Sequence, residues 1–164
     1  MKRAKREKKI VGWREWVALP RLGVDRIKVK IDSGARTSAI HAFDIQSFER
    51  DGQKFVRFWL HPVQHHRQPT VDCEAPVVDE RIVTSSNGEK EHRFVIETDV
   101  ALGDDIWPIE LTLTNRDEMG FRMLLGRRAV RKRFVIDPGS SFRLSGKKAG
   151  VAPRKKSKLK ARPA

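Results

Sequence analysis

Ile27-Lys28-Val29-Lys30-Ile31-Asp32-Ser33-Gly34-Ala35 is the stretch on which the reading of this chain turns. Apolar and basic residues alternate up to Ile31, the period-two pattern of a strand with one buried face. The strand then delivers a carboxylate, Asp32, into a turn made of a hydroxyl residue and a glycine. Asp, Ser and Gly dominate turns in general, so the tripeptide alone marks only a bend. Its surroundings give it more weight. The preceding strand is well formed, the small Ala35 follows, and a second apolar run, Met123-Leu124-Leu125-Gly126-Arg127, lies downstream. The motif occurs once.

Outward from this turn the chain reads as mainly β. Period-two runs rich in Val, Ile, Phe and Thr predict strands at 13–19 (stopped by Pro20), 24–31, 37–43, 55–60, 77–84 and 93–98. Asp51-Gly52 predicts a hairpin turn, and Asn87-Gly88 a second one between Thr84 and Arg93. Ile109, Leu111 and Leu113 alternate with Glu110, Thr112 and Thr114 as one buried and one polar face. Residues 61–75, rich in His and Pro, read as a loop. Arg127 to Arg133 reads as one short helix near the C-terminus, and Phe134 to Ile136 as a closing strand. Many short strands with little helix predict an all-β fold, a small barrel or sandwich.

Charge divides the chain into three. Residues 1–10 carry net +5 and residues 146–164 net +8, so 11–145 keep only +1 of the total +14. The two ends hold too little apolar surface to offset the entropy of ordering, and they read as basic disordered arms around one domain at 11–145. Such arms give solubility and a loose attraction to polyanions, with contact to a ribosome or nucleic acid as the sharper expectation. Aromatic residues make up 7% of the chain and do not interleave with its basic runs, which argues against base stacking by the arms. Cys73 is the single cysteine, so no internal disulfide framework exists. Neither a signal peptide nor a membrane span is legible, and a cytoplasmic protein is expected.

Asp32-Ser33-Gly34-Ala35 together with Leu124-Leu125-Gly126-Arg127 resembles the retropepsin-like aspartic proteases. The fuller string 31–38, with 81–88, 113–119 and 123–127, resembles a bacterial branch that carries the label ATP-dependent zinc protease. The resemblance spans roughly 11–145. It implies a small closed β-barrel with one catalytic aspartate per chain, and therefore a homodimer. Asp32 carries over as the catalytic residue, Ser33, Gly34 and Ala35 with Thr37 and Ser38 as the active-site turn, and 124–126 as the strand beneath it. The hairpin 77–98 falls where that family places its flap. The branch is linked to trimming the glutamate tails that ligases add to a ribosomal protein, which implies an acidic peptide substrate. Ser33 keeps the hydroxyl of the family's usual threonine.

Peptide hydrolysis without a covalent intermediate needs a base for water and an acid for the amide. Two neighbouring carboxylates supply both, because they resist double ionisation and share a proton. The label's zinc and ATP find no counterpart in the motifs: neither His-Glu-x-x-His nor a Gly-x-x-x-x-Gly-Lys-Ser/Thr loop is present. No cofactor or metal is expected. His61, His65, His66, Asp72 and Cys73 cluster in sequence, but the prolines around them favour a polar loop over a metal site. Arg81, Arg93, Arg116 and Arg127 lie in or beside the flap hairpin and the second motif, and guanidinium groups pair with carboxylates. They are the expected substrate-binding residues, although an arginine on a β-surface often only keeps it soluble, and Arg127 has a structural alternative, tying down the loop near Asp32. A metal-dependent peptidase and a non-catalytic basic binding module remain as alternatives.

Overall fold

The structure, a computed structural model, describes residues 7–63, 68–84, 87–115 and 120–146. Its strands in chain order are β1 (Lys9–Val11), β2 (Arg14–Leu19), β3 (Val24–Asp32), β4 (Ser38–His41), β5 (Phe43–Arg50), β6 (Gln53–Leu60), β7 (Val71–Thr84), β8 (Lys90–Leu102), β9 (Asp105–Thr114), β10 (Met123–Gly126) and β11 (Phe134–Ile136). A 3-10 turn, Pro20–Leu22, links β2 to β3, and the helix α1 spans Arg127–Val130.

Six strands close into a barrel in the order β2-β3-β10-β4-β9-β8, and the seam is a single pairing of Ala18 with Ala101. Closure removes the open edges that a sheet of this size would otherwise expose. Alternation fills the interior: Ile27, Val29 and Ile31 of β3 point inward with Leu111 and Leu113 of β9 and Met123 and Leu125 of β10. The same alternation leaves Lys28, Lys30 and Asp32 on the other side of β3.

Beyond the barrel, β7, β6 and β5 extend the sheet from β8. The early part of β7 pairs with β6, from Val71–Leu60 to Pro76–Phe55; the later part pairs with β8 from Val77 to Thr84. Residues 71–75 are therefore strand and not loop, with Cys73 and Ala75 buried. Pro76, which cannot donate to a ladder on both sides, sits where β7 changes partners. The strand β5 had no counterpart among the sequence expectations, yet the Asp51-Gly52 hairpin turn that ends it is as predicted. Both turn residues take positive φ, 54° and 79°, the two-residue turn that matches strand twist.

The domain also reaches past its expected N-terminal edge. β1 starts at Lys9, within the span read as a basic arm, and runs parallel to β11. At the other end the chain from Asp137 to Ser145 folds back on β2 around one carboxylate. Glu15 is fully buried, and its Oε2 accepts hydrogen bonds from the backbone N–H groups of Gly12, Arg143 and Leu144 at 2.7, 3.0 and 3.0 Å. Oε1 accepts from Ser145 N at 2.9 Å. The remainder of the two arms, 1–6 and 147–164, lies outside the described residues.

Candidate active site

Asp32 is the last residue of β3, half-buried, with Gly126 of β10 directly beside it in a parallel pairing. Its Oδ1 accepts the Gly34 N–H at 3.0 Å, and its carbonyl accepts Ala35 N–H at 3.2 Å. The carboxylate is thus oriented by its own turn, and Ser33 and Gly34 stay exposed. Gly34 is not in the left-handed region; a Cβ there would meet only Asp32 Oδ1, at 3.4 Å. The glycine keeps the turn slim and does not relieve backbone strain.

The second motif locks the turn from below. Gly126 N–H donates to the buried Ser38 Oγ at 2.9 Å, Arg127 N–H to Ala35 O at 2.7 Å, and Arg128 N–H to Arg36 O at 3.1 Å. A Cβ on Gly126 would lie 2.5 Å from the carbonyl carbon and oxygen of Thr37, so only glycine lets β10 pass this close. Of the expected turn residues, Ser38 works through its hydroxyl and Ala35 through its carbonyl, whereas the Thr37 carbonyl is the backbone that Gly126 passes closely.

For Arg127 the geometry matches the second of its two expected roles, tying down the loop near Asp32. Its guanidinium donates to Ser33 O at 3.0 Å, clamping the turn that bears Asp32. Arg81 and Arg93, opposite each other in the β7–β8 hairpin, are also engaged. Arg81 pairs with Asp79 at 3.1 Å and Glu110 at 3.6 Å, and Arg93 with Glu91 at 2.9 Å. An acidic substrate would have to displace these carboxylates. Arg116, with the His65-His66 pair and the Ser85-Ser86 turn residues, lies outside the described residues.

The His-rich stretch does not assemble. His61 stacks on Phe43 with ring centroids 4.3 Å apart, Asp72 takes a two-pronged bond from Arg57 at 2.9 and 3.1 Å, and the Cys73 thiol donates to Leu22 O. Among the described residues no three His, Cys, Asp or Glu side chains group to hold a metal, and no helix is long and apolar enough to cross a membrane.

One feature beside the turn has no counterpart among the sequence motifs. Thr37 and Ser38 form one wall of a cleft of about 470 Å³, whose floor is Trp107 and Ile109 and whose rim carries Arg128, Lys132 and Arg133. Asp32 is not part of its lining, so this cleft lies beside the turn and not over the carboxylate. The signal in the sequence is the five cations within 127–133, of which the motifs single out only Arg127.

Residues 10–145 match the RimB-like family, described as retropepsin-like aspartic endopeptidase RimB. The chain belongs to this family. Relatives include two proteins named "Probable alpha-L-glutamate ligase". One, from Shewanella pealeana, is 51% identical over 92% of this chain; the other, from Desulfotalea psychrophila, is 53% identical over 80%. These matches take up 34% and 28% of the relatives, so the chain spans about a third of their length. A solved structure of a Legionella pneumophila protein of unknown function superposes with a TM-score of 0.70 at 26% identity, covering 84% of this chain and 99% of that one. The closed barrel, the single Asp-Ser-Gly turn and the hydrophobic-hydrophobic-Gly strand beside it are those of an aspartic-peptidase fold.

Proposed function

We propose that this chain is an aspartic-type peptidase that works as a homodimer, with two Asp32 carboxylates sharing one proton across the two-fold axis. The observation that carries this reading is the placement of Asp32: at a strand end, half-exposed, held by Gly34 N–H, on a turn fixed by Ser38–Gly126 and Arg127–Ser33. A carboxylate used only for structure would not need so rigid a mount that leaves it open to solvent.

In this mechanism the ionised Asp32 takes a proton from water, and the water oxygen adds to the scissile carbonyl carbon. The partner's protonated Asp32 donates to the carbonyl oxygen. When the resulting gem-diol collapses, the C–N bond breaks, Asp32 gives the proton it took from water to the leaving amine nitrogen, and a diol hydroxyl gives its proton to the partner's carboxylate, which regenerates the shared-proton pair. Neither carboxylate can serve as both acid and base at once, and the single chain has one such residue.

The substrate we assign is a glutamate-rich protein tail. Support comes from the family resemblance and from relatives named for alpha-linked glutamate, while their ligase activity is not carried over, because this chain spans about a third of them. The test is cleavage of a glutamate-rich peptide by the purified full chain, followed by mass spectrometry. Wild type should yield shortened products and Asp32→Asn none, with the fold unchanged by circular dichroism. Equal cleavage by a clean Asp32→Asn sample would end the assignment.

A further inference from the structure

We propose that the cleft beside the active-site turn is the subsite that recognises the substrate's acidic side chains away from the scissile bond. Arg128, Lys132 and Arg133 form its cationic rim. The inference rests on the peptidase reading above and moves charge recognition from the arginines expected in sequence to a different set.

The cations near the turn differ in whether they are already engaged. Arg81 and Arg93 are held by carboxylates of their own hairpin, and Arg127 by Ser33 O. Among the described residues, Arg128, Lys132 and Arg133 have no carboxylate partner, and Arg36, whose carbonyl is bonded to Arg128 N–H, has none either. Arg128 and Lys132 are exposed, and Arg133 lies over the Trp107 ring at 4.9 Å. Like charges crowded without counter-charges repel one another, and an arriving anion relieves that cost. The one acid in the cleft, Glu110, already faces Arg81 at 3.6 Å.

Shape narrows the ligand. The floor is apolar, with Trp107 nearly buried and tied to α1 by its Nε1 donating to Ala129 O at 3.1 Å. A glutamate side chain offers two methylenes for such a floor and a carboxylate for the rim. A nucleic acid backbone would reach the same cations but has no aliphatic stem to set against Trp107 and Ile109. Position completes the case. Thr37 and Ser38 belong both to the cleft wall and to the turn bearing Asp32, so an extended peptide bound at Asp32 passes the cleft within a few residues.

The measurement is binding of a fluorescein-labelled ten-residue glutamate-rich peptide to full-length Asp32→Asn protein, so that cleavage plays no part. Arg128→Gln/Lys132→Gln/Arg133→Gln should weaken binding about tenfold, the scale of three partly screened charge contacts, and flatten its dependence on salt. Arg128→Gln/Lys132→Gln, which keeps Arg133 on Trp107, should lose part of that affinity. Arg21→Gln/Arg26→Gln/Lys28→Gln, with the same change in net charge far along the chain, should lose less than threefold. Equal losses in the two triple variants, absence of measurable binding, or equal competition by a single-stranded RNA would each overturn the subsite. Loss of binding in the cleft variant alongside a wild type that cleaves nothing would keep the subsite and remove the peptidase assignment.

Discussion

Substituting Gly126 by alanine would place a methyl group 2.5 Å from the Thr37 carbonyl and 3.0 Å from Ala35 O, all of it backbone. Neither side can yield without moving the turn. We expect Gly126→Ala to cost about 2 kcal/mol, typical of forced overpacking, and to displace Asp32 enough to lower peptidase activity by far more than stability. Ser38→Ala acts on the same junction by a different route, leaving the buried Gly126 N–H without its acceptor. Its expected cost is about 1–3 kcal/mol in a denaturation midpoint, with Ser38→Thr recovering part of it. At this scale the sequence was legible where a backbone reason sits in the residue type, as at Asp32, Gly126 and the Asp51-Gly52 turn. It was illegible where the partner is distant in sequence. The clamp by Arg127 on Ser33 could be read from its place in the second motif, but nothing local shows that Arg128 faces a cleft.

Among the elements, β2 and the C-terminal segment depend on Glu15. Four N–H donors converge on its buried carboxylate, and three of them belong to residues 143–145. Glu15→Ala should cost about 3–5 kcal/mol, since it leaves buried donors unpaired, and should expose the segment after Asp137 to limited proteolysis. The same segment carries a pH dependence. Ser140 Oγ donating to Asp137, then the Gly139 N–H and the Arg143 charge, hold the Asp137 carboxyl below its ordinary value of 3.8. A depressed carboxylate stabilises the fold above its unfolded pKa, and that contribution is lost as pH falls below about 3.8 through the folded value. Asp137→Asn should remove that part of the acid sensitivity, measured as thermal midpoint against pH between about 5 and 2. Strand identity followed from alternation wherever turn signals bounded it. The early part of β7 was missed because Pro69, Pro76 and the histidines masked the inward positions Cys73 and Ala75. That strand changes partners at Pro76, and a partner change leaves no local pattern.

For the whole molecule, period-two alternation was enough to predict an all-β domain, and the family resemblance sharpened it to a closed barrel. What closes the barrel, one Ala18–Ala101 pairing between strands far apart in sequence, has no signature of its own. The Asp32 turn was legible, but the cleft beside it is assembled from β9, α1 and the turn, three segments joined only by folding. The homodimer is part of the mechanism we propose: one carboxylate cannot supply both acid and base, so activity should belong to pairs of chains. Refolding wild type and Asp32→Asn together in equal amounts, then assaying cleavage of the glutamate-rich peptide per total chain, tests this most directly. If the active centre needs an Asp32 from each copy, random pairing leaves about a quarter of the wild-type rate. A rate of about half, the result for chains that act alone, would contradict the shared dyad.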